Sequence, residues 1–210
     1  HAAITTRVAP SFLRVGQLEL FARRVRNNSH NEALNELKMI VQHLIDRNYK
    51  DEIRSDISFE SKVIELASLY RKRLISLISN WMRVGYCQGN FNSDNCAAGG
   101  FTLDYGPFGF CELFDPRFQP WTGGGEHFSF FNQPSAGQIN FRTFCSSLRP
   151  LLSGRQEYLE NLDQIENDFF ELMNKELNQM WANKLGLDFY DKTLVNEILN
   201  LMVISKADYT

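Results

Sequence analysis

Cysteine is scarce in this sequence. Four occur in 210 residues, Cys87, Cys96, Cys111 and Cys145, and no two are spaced as CxxC. That argues against a structural zinc site. Scattered thiols suit small buried positions in a reducing compartment, so the expected location is intracellular: cytoplasm in a bacterium, mitochondrion or plastid in a eukaryote. A redox role for Cys87 or Cys96 would need a depressed thiol pKa. Long apolar runs are missing too. Nothing reaches the roughly 20 residues that span a bilayer, and no signal or transit peptide is visible, so no membrane partner is expected. Basic residues are not in excess, with 22 Lys and Arg against 25 Asp and Glu. A net charge of −3 offers no footprint for nucleic acid. The run Arg23, Arg24, Arg26 reads as a solvated helix end. Repeats and low-complexity tracts are absent. The chain starts at His1 rather than Met and ends at Thr210 without a stop signal, which reads as a fragment or a processed product.

What is present is ample apolar material. Hydrophobic residues make up 43%, enough for a core without disulfides or a structural metal. Helical spacing predicts a helix over Gly16–Arg26 and a second, capped by Ser29 or Asn31, to about Arg47. Ser58 is placed to cap a long central helix to about Met82, with Val63, Leu66, Ala67, Tyr70, Leu74, Leu77, Ile78 and Trp81 on its inner face. Periodicity then stops, and glycines punctuate the chain from Gly85 to Gly109. Short β pieces are expected at Gly100–Leu103 and Phe108–Cys111, and a long loop at Asp115–Gly137. Helices return near Ile139–Leu152, over Gln156–Lys184 with Gly186 just past its end, and over Lys192–Val203. Trp81, Trp121 and Trp181 read as core anchors, and His127 as a loop histidine. The expected fold is mainly α with a small β-hairpin region.

The chemistry concentrates between Gly89 and Gly109. A long helix delivers the chain to Asn92-Ser93-Asp94-Asn95, and a hairpin then delivers Leu103-Asp104-Tyr105-Gly106. Phosphate-transfer chemistry on a metal nucleotide needs such a set. One carboxylate sits near the attacking hydroxyl, while a second carboxylate and an amide oxygen hold a hard divalent cation. The order parallels the protein-kinase pattern of catalytic-loop Asp and Asn followed by Asp-Phe-Gly. Asn-Ser-Asp-Asn alone would be an ordinary turn.

These residues resemble the selenoprotein O family of kinase-like protein adenylyltransferases. The resemblance rests on Arg7-Val8-Ala9-Pro10-Ser11-Phe12-Leu13-Arg14-Val15-Gly16, on Asn92–Asn95, and on Leu103-Asp104-Tyr105-Gly106-Pro107-Phe108-Gly109. Phe131-Asn132-Gln133-Pro134, Lys184-Leu185-Gly186-Leu187 and Asp208-Tyr209-Thr210 extend it over essentially the whole chain. It implies a protein-kinase-like C-lobe over 1–152 with a helical extension over 153–210. It also implies transfer of AMP from ATP to Ser, Thr or Tyr hydroxyls of proteins, with Mg²⁺ or Mn²⁺. By position, Asp94 would be the general base, Asn95 and Asp104 the metal ligands, and Arg7 and Arg14 the phosphate contacts, a task suited to guanidinium groups. The family's glycine-rich loop, its ATP-contacting Lys and the Glu partner lie upstream of Arg7, and its selenocysteine or cysteine lies beyond Thr210. The expectation is therefore a fragment with little turnover of its own. Gln88–Phe91 stands where many members carry a His-Gly pair. A conventional phosphotransferase and a non-catalytic pseudokinase binding module are the alternative readings.

Overall fold

Residues 2–4, 6, 8–103 and 106–209 are described by the computed structural model. Helix α1 spans Val15–Arg26, α2 Ala33–Asn48 and α3 Phe59–Arg83. Strand β1 (Tyr86–Gln88) and strand β2 (Phe108–Phe110) follow, then α4 (Gln133–Leu148), α5 (Gln156–Asn167), α6 (Phe169–Leu185) and α7 (Lys192–Ser205). The described chain is thus mainly helical, with one two-stranded antiparallel sheet.

α3 is the axis. Ser58 caps it, its hydroxyl accepting from the Ser61 N–H at 3.1 Å. Val63, Leu66, Ala67, Tyr70, Leu74 and Ile78 are fully buried, and α4, α5 and α6 pack around them. Each such aliphatic side chain contributes about 1.5–3 kcal/mol by leaving water. The Tyr70 ring lies 4.2 Å from Phe144, and Phe141 stacks on Phe169 at 4.9 Å, so α3, α4 and α6 share one aromatic layer. α7 joins this body through buried Val195 and leaves Leu201 and Ile204 exposed.

Several boundaries differ from the sequence-based expectations. Gly100–Leu103 is not a strand. Gly100 is left-handed (φ +74°), and a Cβ there would lie 2.5 Å from Arg73 Cβ, so the backbone turns under α3. Thr102 instead accepts a hydrogen bond from Trp81 Nε1 at 2.9 Å. The partner of β2 is β1, with Gln88 opposite Phe108 and Tyr86 opposite Phe110. α4 starts at Gln133, earlier than expected, with Pro134 in its first turn where a missing N–H costs nothing. Gly137 therefore lies inside a helix: a Cβ there would meet Ile78 Cδ1 at 2.1 Å, so the glycine lets α4 approach α3. Its last four expected residues, Arg149–Leu152, form a 3-10 turn. The single helix expected over Gln156–Lys184 is broken at Asp168. There Arg71 of α3 donates to the Ile165 carbonyl at 3.0 Å and lies 3.7 Å from the Asp168 carboxylate. α2 begins after Glu32 with no side-chain cap, not after Ser29 or Asn31. Gly186 ends α6 in the left-handed conformation, as expected.

Over residues 207–209 the chain folds back onto the end of the hairpin opposite the Asp94 loop. Asp208 bridges Leu113, and the buried Tyr209 hydroxyl donates to the Met82 carbonyl at 2.6 Å.

Candidate functional site

Phe91 is the base on which the Asp94 loop is built. It is buried against Trp81, ring centroids 4.9 Å apart, and its carbonyl accepts from Asn140 Nδ2 of α4 at 2.9 Å. Asn90, half-buried beside it, accepts from Asn95 Nδ2 through its carbonyl at 2.8 Å. Asn92 then turns the chain: its Oδ1 accepts the N–H groups of Asp94 (3.0 Å) and Asn95 (3.2 Å), an Asx turn that starts a single 3-10 turn over Ser93–Asn95. The result is an exposed Asp94 side chain on a backbone held by three amides, with Asn95 half-buried next to it. The Asn95 amide nitrogen is engaged by Asn90, which leaves Oδ1 as the oxygen available to a hard cation.

The segment before α1 crosses this loop. Val15 N–H donates to the Cys96 carbonyl at 3.0 Å and Ala98 N–H to the Leu13 carbonyl at 2.9 Å, with Arg14 bridged to Ala97. This brings the first turn of α1 against Asp94 so closely that a Cβ on Gly16 would lie 2.1 Å from Asp94 Oδ1. Only glycine leaves room, and the positive end of the α1 dipole faces the carboxylate. Arg14 precedes that turn. Its N–H is taken by Gln17 Oε1 at 2.9 Å, and its Nε is buried without a hydrogen-bond partner among the described residues. A buried guanidinium nitrogen left open beside a helix N-terminus fits an anionic oxygen. The site thus fits a metal–phosphate group on two counts: an open cationic donor at Arg14 and a free amide oxygen at Asn95.

The sheet positions the second loop relative to the first. Because Gln88 pairs with Phe108, residues 89 onward and residues before 108 leave the same end of the hairpin, and Gly89 N–H donates to the Pro107 carbonyl at 2.7 Å. Asp104 and Arg7, both expected in the site, lie outside the described residues. Among the described residues no group of three or more His, Cys, Asp or Glu side chains converges on a metal position.

Three positioning residues escaped the sequence reading. Gln133 is buried and grips β1 from both sides, its Oε1 accepting from Gln88 N–H and its Nε2 donating to the Tyr86 carbonyl, each at 2.8 Å. It imitates a third strand, and its only sequence signal was membership of Phe131-Asn132-Gln133-Pro134. Asn140 and Gly16 act on the loop as described; Gly16 closed the quoted run from Arg7, but distance in sequence hid the contact of both with the loop. Trp121, expected in the core, is only half-buried, whereas Trp81 and Trp181 are buried. His127 is exposed on the rim of a recess shared with Asn92 and Ser93.

The four thiols are Cys87, Cys96, Cys111 and Cys145. All are free and buried. Burial pushes Cys87 up to about 12 and Cys96 likewise, the hydrogen bond with the Tyr70 hydroxyl only partly opposing it at Cys96. A thiol raised this far is a poor nucleophile. Two recesses of about 550 and 560 Å³ lie away from the Asp94 loop, one beside β2 and α7 and one between α3 and α6.

A family model described as protein adenylyltransferase SelO matches residues 1–210. Curated relatives named protein nucleotidyltransferase YdiU are similar along the chain. The protein of Pelagibacter ubique is 34% identical over 220 residues, covering 100% of this chain and 42% of the relative. That of Variovorax paradoxus is 33% identical over 216 residues, covering 100% and 41%. That of Rhodopirellula baltica is 31% identical over 217 residues, covering 99% and 38%. The chain therefore spans about two fifths of the length of these curated relatives. No described helix is long and apolar enough to cross a membrane.

Proposed function

The chain belongs to the protein adenylyltransferase SelO family, and from that premise we propose that it carries the base and metal side of an active site that moves AMP from ATP onto Ser, Thr or Tyr hydroxyls of proteins. Asp94 accepts the proton of the attacking hydroxyl. The hydroxyl oxygen forms a bond to the α-phosphorus, the bond from that phosphorus to the bridging oxygen breaks, and pyrophosphate leaves. Asn95 Oδ1 and the Asp104 carboxylate would hold Mg²⁺ or Mn²⁺, which supplies charge neutralisation at the phosphates. Arg14 directs its open Nε to a phosphate oxygen, and Arg7 adds a second guanidinium. The order α3, β1, base loop, β2 supports a kinase-like C-lobe over 1–152. Residues 153–210 then form a helical extension whose α5 and α6 buttress α3 from behind.

The observation that carries this reading is the contact between Gly16 and Asp94: a glycine that makes room for one carboxylate, next to an arginine with an open buried donor. The test is incubation of this chain, joined to the glycine-rich lobe that family members carry upstream of it, with ATP labelled on the α- or the γ-phosphate and a mixture of candidate acceptor proteins. Protein label from the α position alone is the expected result. Label from the γ position would make this a phosphotransferase, and label from neither a binding module.

A further inference from the structure

Beside the base loop lies a recess of about 260 Å³ that the transfer chemistry does not use. One wall is Phe91, Asn92 and Ser93, the residues immediately before Asp94. The floor is one face of α4, where Ala136, Ile139, Asn140 and Thr143 follow at helical spacing. The far wall is His127 and Phe128.

Resting on the reading of Asp94 as the base, we propose that this recess receives an apolar side chain of the acceptor polypeptide, one to three residues from the hydroxyl that takes the AMP.

Three observations point to that occupant. The first is charge. None of the lining residues is Lys, Arg, Asp or Glu, so no fixed charge there favours a phosphate or a charged side chain. The second is size and lining. The volume falls below the range of about 300–1,000 Å³ typical of whole small-molecule ligands, and suits one side chain. Phe91, Phe128, Ala136 and Ile139 make its lining mostly apolar, with Asn92, Ser93 and Thr143 as small polar members. Ile139 stays 62% exposed there, an apolar side chain that an incoming one would cover. The third is continuity. Ser93 adjoins Asp94, and an extended chain advances about 3.3 Å per residue, so a side chain in the recess belongs to a backbone that also passes the base. Asn140, holding Phe91, locks recess and loop into one body.

The test uses this chain joined to the family's upstream lobe, and fluorescent peptides that differ only in the residues flanking a central Ser, carrying Leu, Phe, Gly or Glu. Binding is read by anisotropy, independently of catalysis, and AMP incorporation is read on the same peptides. Leu and Phe peptides should bind at least about tenfold tighter than Gly peptides, the scale of burying one such side chain. Thr143→Trp, which fills the recess, and Ile139→Asp, which charges it, should erase that difference, Ile139→Leu should keep it, and ATP binding should be unchanged in all three. Absence of a flanking preference, or a preference that survives Thr143→Trp, overturns the proposal even where AMP transfer proceeds. Peptide binding that behaves as expected without any AMP transfer supports the recess as a docking site and sinks the catalytic reading instead.

Discussion

Gly16→Ala separates stability from chemistry at this site. The added Cβ would lie 2.1 Å from Asp94 Oδ1 and 3.1 Å from its Cγ, where ordinary contacts begin near 3.4 Å. The carboxylate must therefore withdraw by about 1 Å or more. It can do so, because Asp94 is exposed and the near atoms are the end of its side chain. Leaving a preferred rotamer costs about 0.5–1.5 kcal/mol. Replacing glycine by alanine in a helix returns up to about 1 kcal/mol. The two nearly cancel, so the melting temperature should stay within a few degrees, given about 2–4 °C per kcal/mol for a chain of this size. The reacting geometry has no such compensation, and a displacement of about 1 Å costs on the order of 10²-fold in rate. The expected result is kcat/KM for AMP transfer about 10²-fold down, ATP affinity by calorimetry within a few-fold, and an almost unchanged melting curve. Transfer within twofold of the parent protein would refute the assignment of the Asp94 carboxylate to the reacting centre.

Asp94→Ala should lower AMP transfer by about 10²–10⁴-fold, the usual contribution of a general base, with ATP affinity held within a few-fold; a large loss of affinity would instead make Asp94 a metal ligand. Asn95→Leu and Asp104→Ala should each weaken metal-dependent ATP binding by about tenfold or more, and Mg-ATP titrations unchanged from the parent would remove them from the metal. Asn140→Ala takes away the only described donor to the Phe91 carbonyl, a buried group, and should cost about 1–3 kcal/mol in urea unfolding; an unchanged midpoint would show that the loop does not depend on it. Cys87 and Cys96 are held protonated in the fold up to about 12 against an ordinary value of 9.0. Their contribution to stability is complete below pH 9 and is lost as pH rises from 9 towards 12, because the unfolded thiols ionise first. Denaturant midpoints measured from pH 8 to 11 should fall, and replacing both thiols with Ala should flatten that fall.

The helices were legible because their apolar stripes are regular. The stripe of α3 from Val63 to Trp81 and the hydroxyl of Ser58 identify that helix without help, and Gly186 marks the end of α6 for the reason that makes glycine common there. Gly137 misled for the converse reason. A glycine in sequence signals a turn, and only the neighbouring Ile78 reveals that it serves a close helix crossing. β1 was invisible because Tyr86, Cys87 and Gln88 are all buried, so no alternation marks them as a strand. Asp168 breaks a helix through Arg71, a residue nearly a hundred positions away. At the site, Asp94 and Asn95 stood out by residue type and spacing, helped by the family resemblance. The groups that aim them, Gly16, Gln133 and Asn140, act across long stretches of chain, and local patterns carry no trace of such contacts.

The bond from the Tyr209 hydroxyl to the Met82 carbonyl joins residues 127 apart in sequence. During synthesis, Met82 at the end of the central helix emerges long before its partner. β1 can pair with β2 once Phe110 has appeared, yet the carbonyl three residues from Gly85 waits for Tyr209, whose ring also fills the space a Cβ on Gly85 would need. Until then the Met82 carbonyl and the hollow beside Gly85 lack their partner. That end of the hairpin is closed only by residues 207–209, when Ala207 and Asp208 dock against Phe114 and Leu113 and the ring of Tyr209 settles beside Trp181. A ribosome stalled shortly before that point would hold the helices and the hairpin with that end of the sheet still uncovered.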